Sequence, residues 1–102
     1  MIKVYQIPSK VMEQYDIFPF SYGMGKFNPQ ENIDKYVHVA DLDTNCLNEA
    51  FEIGNIGPES KYTRYAKMHS LSVGDILVEE TGQAHIIASF GFDEIESDLE
   101  AA

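Results

Sequence analysis

Apolar and polar positions alternate from the first residues. Ile2, Val4 and Gln6 fall on one side of a half-buried strand over 2–7, with Lys3, Tyr5 and Ile7 on the other, and Pro8 ends it. Ser9 can cap a helix over 10–15, with Val11, Met12 and Tyr15 facing inward. A second strand, 35–40, is built on Tyr36-Val37-His38-Val39-Ala40. Asp43 or Thr44 then caps a helix in which Leu47, Ala50 and Phe51 have i, i+3, i+4 spacing, and Gly54 stands just past its last turn. The densest signal lies in 69–95. Gly74-Asp75 bends the chain into a strand over 75–80, Thr81-Gly82-Gln83 supplies a turn, and a strand over 84–89 returns as a β-hairpin. Phe90-Gly91-Phe92 turns the chain again, into a short strand over 91–95.

Two stretches break this regularity. Ile17 to Pro29 interleaves Phe18, Phe20, Tyr22, Met24 and Phe27 with Pro19, Gly23, Gly25 and Pro29, and reads as an irregular aromatic loop. Residues 55–67 read as a second loop, carrying Lys61, Arg64 and Lys67 with Tyr62 and Tyr65 between them. Together the elements predict an α+β fold: a small, curved, mostly antiparallel sheet of four to five strands with one or two short helices packed on it. Residues 1–96 form a single domain, and 97–102 an acidic frayed tail. The expected core is Val4, Val37, Val39, Leu47, Phe51, Leu71, Val73, Ile76, Val78, Ile86 and Phe90. Truncating Phe51 to Ala should then cost about 3–5 kcal/mol.

Charge narrows the choice of partner. The net charge is −10; residues 1–51 carry four lysines against seven acids, and 52–102 carry three basic residues against ten acids. Such a surface repels nucleic-acid phosphates and anionic membranes, so neither is an expected partner. A protein with a basic face fits, and charge would speed that encounter; acidity also serves solubility by itself. The single cysteine, Cys46, excludes an internal disulfide and fits a reducing compartment. No apolar run approaches the roughly 20 residues of a membrane span, and Met1 to Tyr5 lack the apolar core of a signal peptide. A cytoplasmic protein is expected.

No stretch carries a complete chemical motif. Asp41, Asp43, Asn45 and Glu52 match positions 1, 3, 5 and 12 of an EF-hand loop, but Cys46 occupies the glycine position and the ligands would overlap a helix. Cys46, His38, His69 and His85 lack the spacing of a zinc site. A lone cysteine at a helix edge reads as a small buried apolar residue. Ser70 and Ser72 sit in no nucleophile elbow, and Gly54-Asn55-Ile56-Gly57-Pro58 lacks the lysine of a phosphate loop. Lys61, Arg64 and Lys67 are expected to pair with nearby acids. Asp75 is expected to brace the turn at Gly74 through backbone amides. No metal, cofactor or catalytic residue is expected.

Lys3-Val4-Tyr5-Gln6-Ile7, the short helix around Leu47–Phe51, the run from His69 to Val78 and the triplet Phe90-Gly91-Phe92 resemble the YodL-like domain. That family is found in phages, plasmids and conjugative elements. The resemblance covers residues 1–7 and 36–95, and leaves 8–35 as this protein's own loop. It implies a phage or mobile-element accessory protein, within the host cytoplasm if it is phage-encoded, and carries no activity onto particular residues. The expected function is non-enzymatic binding of another protein through Phe18, Phe20, Tyr22, Phe27, Tyr62 and Tyr65, with a homodimer formed by sheet-edge pairing also open. The alternatives are a DNA mimic that inhibits a nucleic-acid-binding host protein, and a small-ligand-binding protein or enzyme using the aromatic loop 18–27.

Overall fold

A computed structural model describes residues 1–96 and Leu99. Among these residues six strands, β1 (Ile2–Gln6), β2 (Val37–Leu42), β3 (Tyr62–Arg64), β4 (Ile76–Val78), β5 (Ala84–Ile87) and β6 (Phe92–Ile95), form one antiparallel sheet ordered β3-β2-β1-β4-β5-β6. The sheet is open, with β3 and β6 at its edges. Two α-helices, α1 (Ser9–Tyr15) and α2 (Leu47–Ile56), and short 3₁₀ segments complete the α+β fold.

The first strand lies at the centre: Val4 is opposite Ala40 of β2 on one side and Leu77 of β4 on the other. Both faces of this strand are covered, so alternation in β1 separates two cores rather than core from solvent. Ile2 and Val4 join Val39, Leu42, Ala50, Ile53, Leu71 and Leu77 under α2. Tyr5 and Ile7 join Phe27, Tyr36, Ile76, Val78 and Ile86, covered by Val11 and Met12 of α1 and by Ile17, Tyr22 and Ile33. The hairpin follows its sequence pattern: Ile76 is opposite Ile86 and Val78 opposite Ala84, and Gly82 takes φ +90° in the turn.

Several expectations need correction. The described residues form six strands, because β3 lies inside the stretch read as a loop; Tyr62 leans on the first core while Thr63 and Arg64 face out, as suits a short edge strand. Helix α2 begins after Cys46, which is exposed rather than buried, and Thr44 Oγ1 accepts the Cys46 amide at 3.1 Å without capping the helix. The helix also continues through Gly54 to Ile56. Gly54 is a contact point: a Cβ there would lie 2.3 Å from Leu71 Cδ1. This contact turns Ala50, Ile53 and Gly54 inward and leaves Phe51 37% exposed. Ile53→Ala is therefore expected to cost about 2–5 kcal/mol and Phe51→Ala about 1 kcal/mol. Denaturant titration of both variants checks this, and equal losses would contradict the helix orientation.

Val37 is 40% exposed at the start of β2, and Phe90 is 96% exposed at the tip of the turn between β5 and β6. Leu47 and Val73 are half-buried. Tyr15 points outward, with the Lys35 amine 5.1 Å above its ring. The expected acidic tail lies outside the described residues except for Leu99, which packs on the second core. No helix among the described residues is long and apolar enough to cross a membrane.

Candidate functional site

The segment from 65 to 75 crosses from edge strand β3 to β4 and is fastened at both ends. At one end the amides of Tyr65 and Ala66 donate to the Val39 carbonyl, at 2.9 and 3.3 Å. At the other, the buried Gln6 carboxamide meets His69 as a strand neighbour would. Its Oε1 accepts the His69 amide at 3.2 Å, and its Nε2 donates to the His69 carbonyl at 2.9 Å. Gln6 Nε2 also donates to Asp75 Oδ2 at 3.1 Å, and the Ser72 amide donates to the same oxygen at 3.0 Å. Asp75 thus braces the turn by bonding a backbone amide. Tyr36 seals the same corner by donating its hydroxyl to the Gly74 carbonyl at 2.5 Å. Its own ionisation is pushed up by burial and by the nearby Asp75 charge.

Burial pushes the Asp75 carboxyl up to about 6, against the pull of the Ser72 amide, His69 and Gln6. The folded state therefore holds this proton over a range in which the unfolded chain, near 3.8, has released it. The stability Asp75 contributes is complete below that lower value and lost as pH rises through about 6. Asp75→Asn removes the titration, so the stability difference between variant and parent is expected to change between pH 4 and 6 and be flat above. Denaturant midpoints across that range measure it; a constant difference would contradict the burial of this charge.

The aromatic loop is ordered by contacts at the other edge of the sheet. Pro19–Met24 forms a 3₁₀ segment that Gly23 presses against Ser89, where a Cβ would meet Ser89 Oγ at 2.2 Å. Tyr22 donates its hydroxyl to Asp93 Oδ2 of β6 at 2.5 Å, and its ionisation is pushed up to about 12, first by that bond and then by burial. Phe18, Phe20 and Met24 remain exposed, the two rings 5.9 Å apart. Phe90, missed as a surface residue, follows Ser89 directly. A preceding serine and Gly91 as the next residue (φ +75°) mark its place in a turn; only its apolar character points it inward. Phe51 and Phe92, with centroids 6.5 Å apart, line a neighbouring cleft of about 290 Å³ with Val73 and Ser89.

The other expected site residues lie elsewhere. Phe27 is only 7% exposed and belongs to the second core. Tyr62 donates to the Ile53 carbonyl at 2.5 Å and supports the Arg64 guanidinium 4.3 Å above its ring. Tyr65 donates to Asp41 Oδ2 at 2.6 Å and leans on His38, whose Nε2 is 2.7 Å from Asp41 Oδ1. Both tyrosines sit at the β3 side, so Phe18, Phe20 and Tyr22 form a surface without them. Lys61 pairs with Glu49 and Arg64 with Glu59, as expected of surface charges, whereas Lys67 makes no ion pair among the described residues. Among those residues no group of three His, Cys, Asp or Glu could hold a metal ion.

This geometry defines a small α+β domain with an apolar surface at one sheet edge and a fastened crossover beside its central strand. The family model of the YodL-like domain matches residues 1–97, and the chain belongs to that family. The match runs through 8–35, so the segment read as this protein's own loop is part of the domain. Comparison with curated proteins and with solved structures finds no match.

Proposed function

We propose that this YodL-like domain is a non-enzymatic accessory protein of a phage or mobile element and acts by binding another protein. The observation that carries the reading is the exposure of Phe18, Phe20, Met24 and Phe90 on backbone held in place by the Tyr22–Asp93 bond and the Gly23–Ser89 contact. Large apolar side chains on a fixed frame offer contact area at little ordering cost. Asp93 lies at the margin of this surface through its bond to Tyr22, so the partner it suits sets a basic side chain beside an apolar contact.

Two features favour this over an edge-paired homodimer and over a DNA mimic. The edge strands β3 and β6 are three and four residues long and carry exposed charge, which disfavours self-pairing. Asp41, Glu59, Glu79, Glu80 and Asp93 each face a donor of their own chain, which suits a self-compensated surface better than a row of free phosphate mimics. The test compares the protein with a Phe20→Asp/Phe90→Asp variant in affinity capture from host extract over a salt series. The variant is expected to keep its stability within about 0.5 kcal/mol, as exposed substitutions do, and to lose the proteins that the parent retains at low salt. Retention of the same proteins by both would overturn the assignment of this surface.

A further inference from the structure

We propose that the cleft between the end of β1, the start of α1 and the crossover binds a small organic anion: an apolar body bearing a carboxylate or phosphate group. The cleft measures about 230 Å³, below the usual range for drug-sized ligands, and so suits a compact molecule. Ile7, Pro8, Val39 and Met68 give it apolar walls, while Lys10, Lys67 and His69 line its polar side.

Charge pairing points to an anion. Lys35, Lys61 and Arg64 each have a carboxylate within 4 Å, as expected in a chain with 17 acidic residues. Lys10, Lys26 and Lys67 make no ion pair among the described residues, and two of these three line this one cleft. The site is also preorganised. Lys67 and Met68 stand between the Val39 anchor and the Gln6 clamp, so their backbone is fixed before any ligand arrives. His69 Nδ1 is turned inward, 2.8 Å from the Ser70 carbonyl, 3.3 Å from Gln6 Nε2 and 4.0 Å from Asp75 Oδ2, which leaves Nε2 as the other polar atom of the ring. An anion at the rim would meet two ammonium groups, with its apolar part against Val39 and Met68.

The experiment is an NMR titration of the full chain with benzoate, phenyl phosphate and benzyl alcohol. Benzoate or phenyl phosphate is expected to give saturable shifts at Ile7, Val39, Met68 and His69, with benzyl alcohol at least tenfold weaker. A Lys10→Ala/Lys67→Ala variant, altered only at exposed side chains, should keep its spectrum and weaken the anion at least tenfold; Lys26→Ala should bind like the parent. Equal binding of benzyl alcohol, no saturable response to either anion, or an unaffected double variant would each overturn the proposal. This outcome is independent of the Phe20/Phe90 surface, which lies at the β6 side.

Discussion

Replacing Gln6 by Leu is expected to lower stability by about 3–5 kcal/mol although the side chains have similar size. Leu can fill the space but offers no hydrogen bond. The His69 amide, the His69 carbonyl and Asp75 Oδ2 would each lose a partner, and Asp75 and Gln6 are both about 1% exposed, so water does not readily replace it. An orphaned buried polar group costs about 1–3 kcal/mol, more when it is charged. For a domain of this length the melting temperature should fall by roughly 15 °C or more. The variant should also free the crossover, speeding hydrogen exchange at Met68 to Ser70 more than in the β4–β5 hairpin. A melting temperature within a few degrees of the parent would show that the carboxamide does not hold the crossover.

Gly74→Ala is expected to cost about 3 kcal/mol or more, through two separate effects. Gly74 has φ +95°, which disfavours any residue with a Cβ. The added Cβ would also lie 2.2 Å from the Pro19 carbonyl oxygen and 2.4 Å from its carbon. These are backbone atoms, and Pro19 is itself buried, so the contact is relieved only by lifting the 19–24 segment or distorting the turn. The Gly74 carbonyl holds Tyr36 and its amide bonds the Ile87 carbonyl, so distortion would spread to both. Gly82→Ala is the matched control: φ is +90° there, but no atom stands within 4 Å of the added Cβ. It should show the backbone cost without the clash, about 1 kcal/mol. Equal losses at the two positions in denaturant unfolding would mean that the Pro19 contact is not as tight as it stands here.

The hairpin was legible because local chemistry specifies it: two apolar runs, a glycine turn and a matching register. Strand β1 was legible for the same reason, although alternation alone does not reveal that the polar-reading side of Lys3, Tyr5 and Ile7 is also covered. That cover comes from Phe27, Tyr36 and α1, brought over by the later fold. The α2 face is not legible from sequence because glycine near a helix end resembles a terminator, whereas Gly54 is small to admit Leu71, 17 residues further along the chain. Phe90 illustrates the limit of counting apolar residues as core: at a turn tip there is nothing to bury it. The Gln6 clamp joins residues 63 and 69 positions apart, and no local pattern announces such a pair. The cleft of Lys10 and Lys67 was hidden likewise, since only the fold brings the start of α1 beside the crossover.

The placement of β1 at the middle of the sheet bears on how the chain folds. Its partners are β2, about 35 residues on, and β4, more than 70 residues on, and β4 reaches it only after the whole crossover has been laid down. A large share of native contacts therefore joins distant parts of the chain, and the entropy of closing those loops falls before the contacts that reward it. Folding is expected on the slow side for a domain of this size. On the ribosome, a chain that has grown only through β3 holds β1 with one side unpaired, a backbone edge open to other strands until the final hairpin arrives.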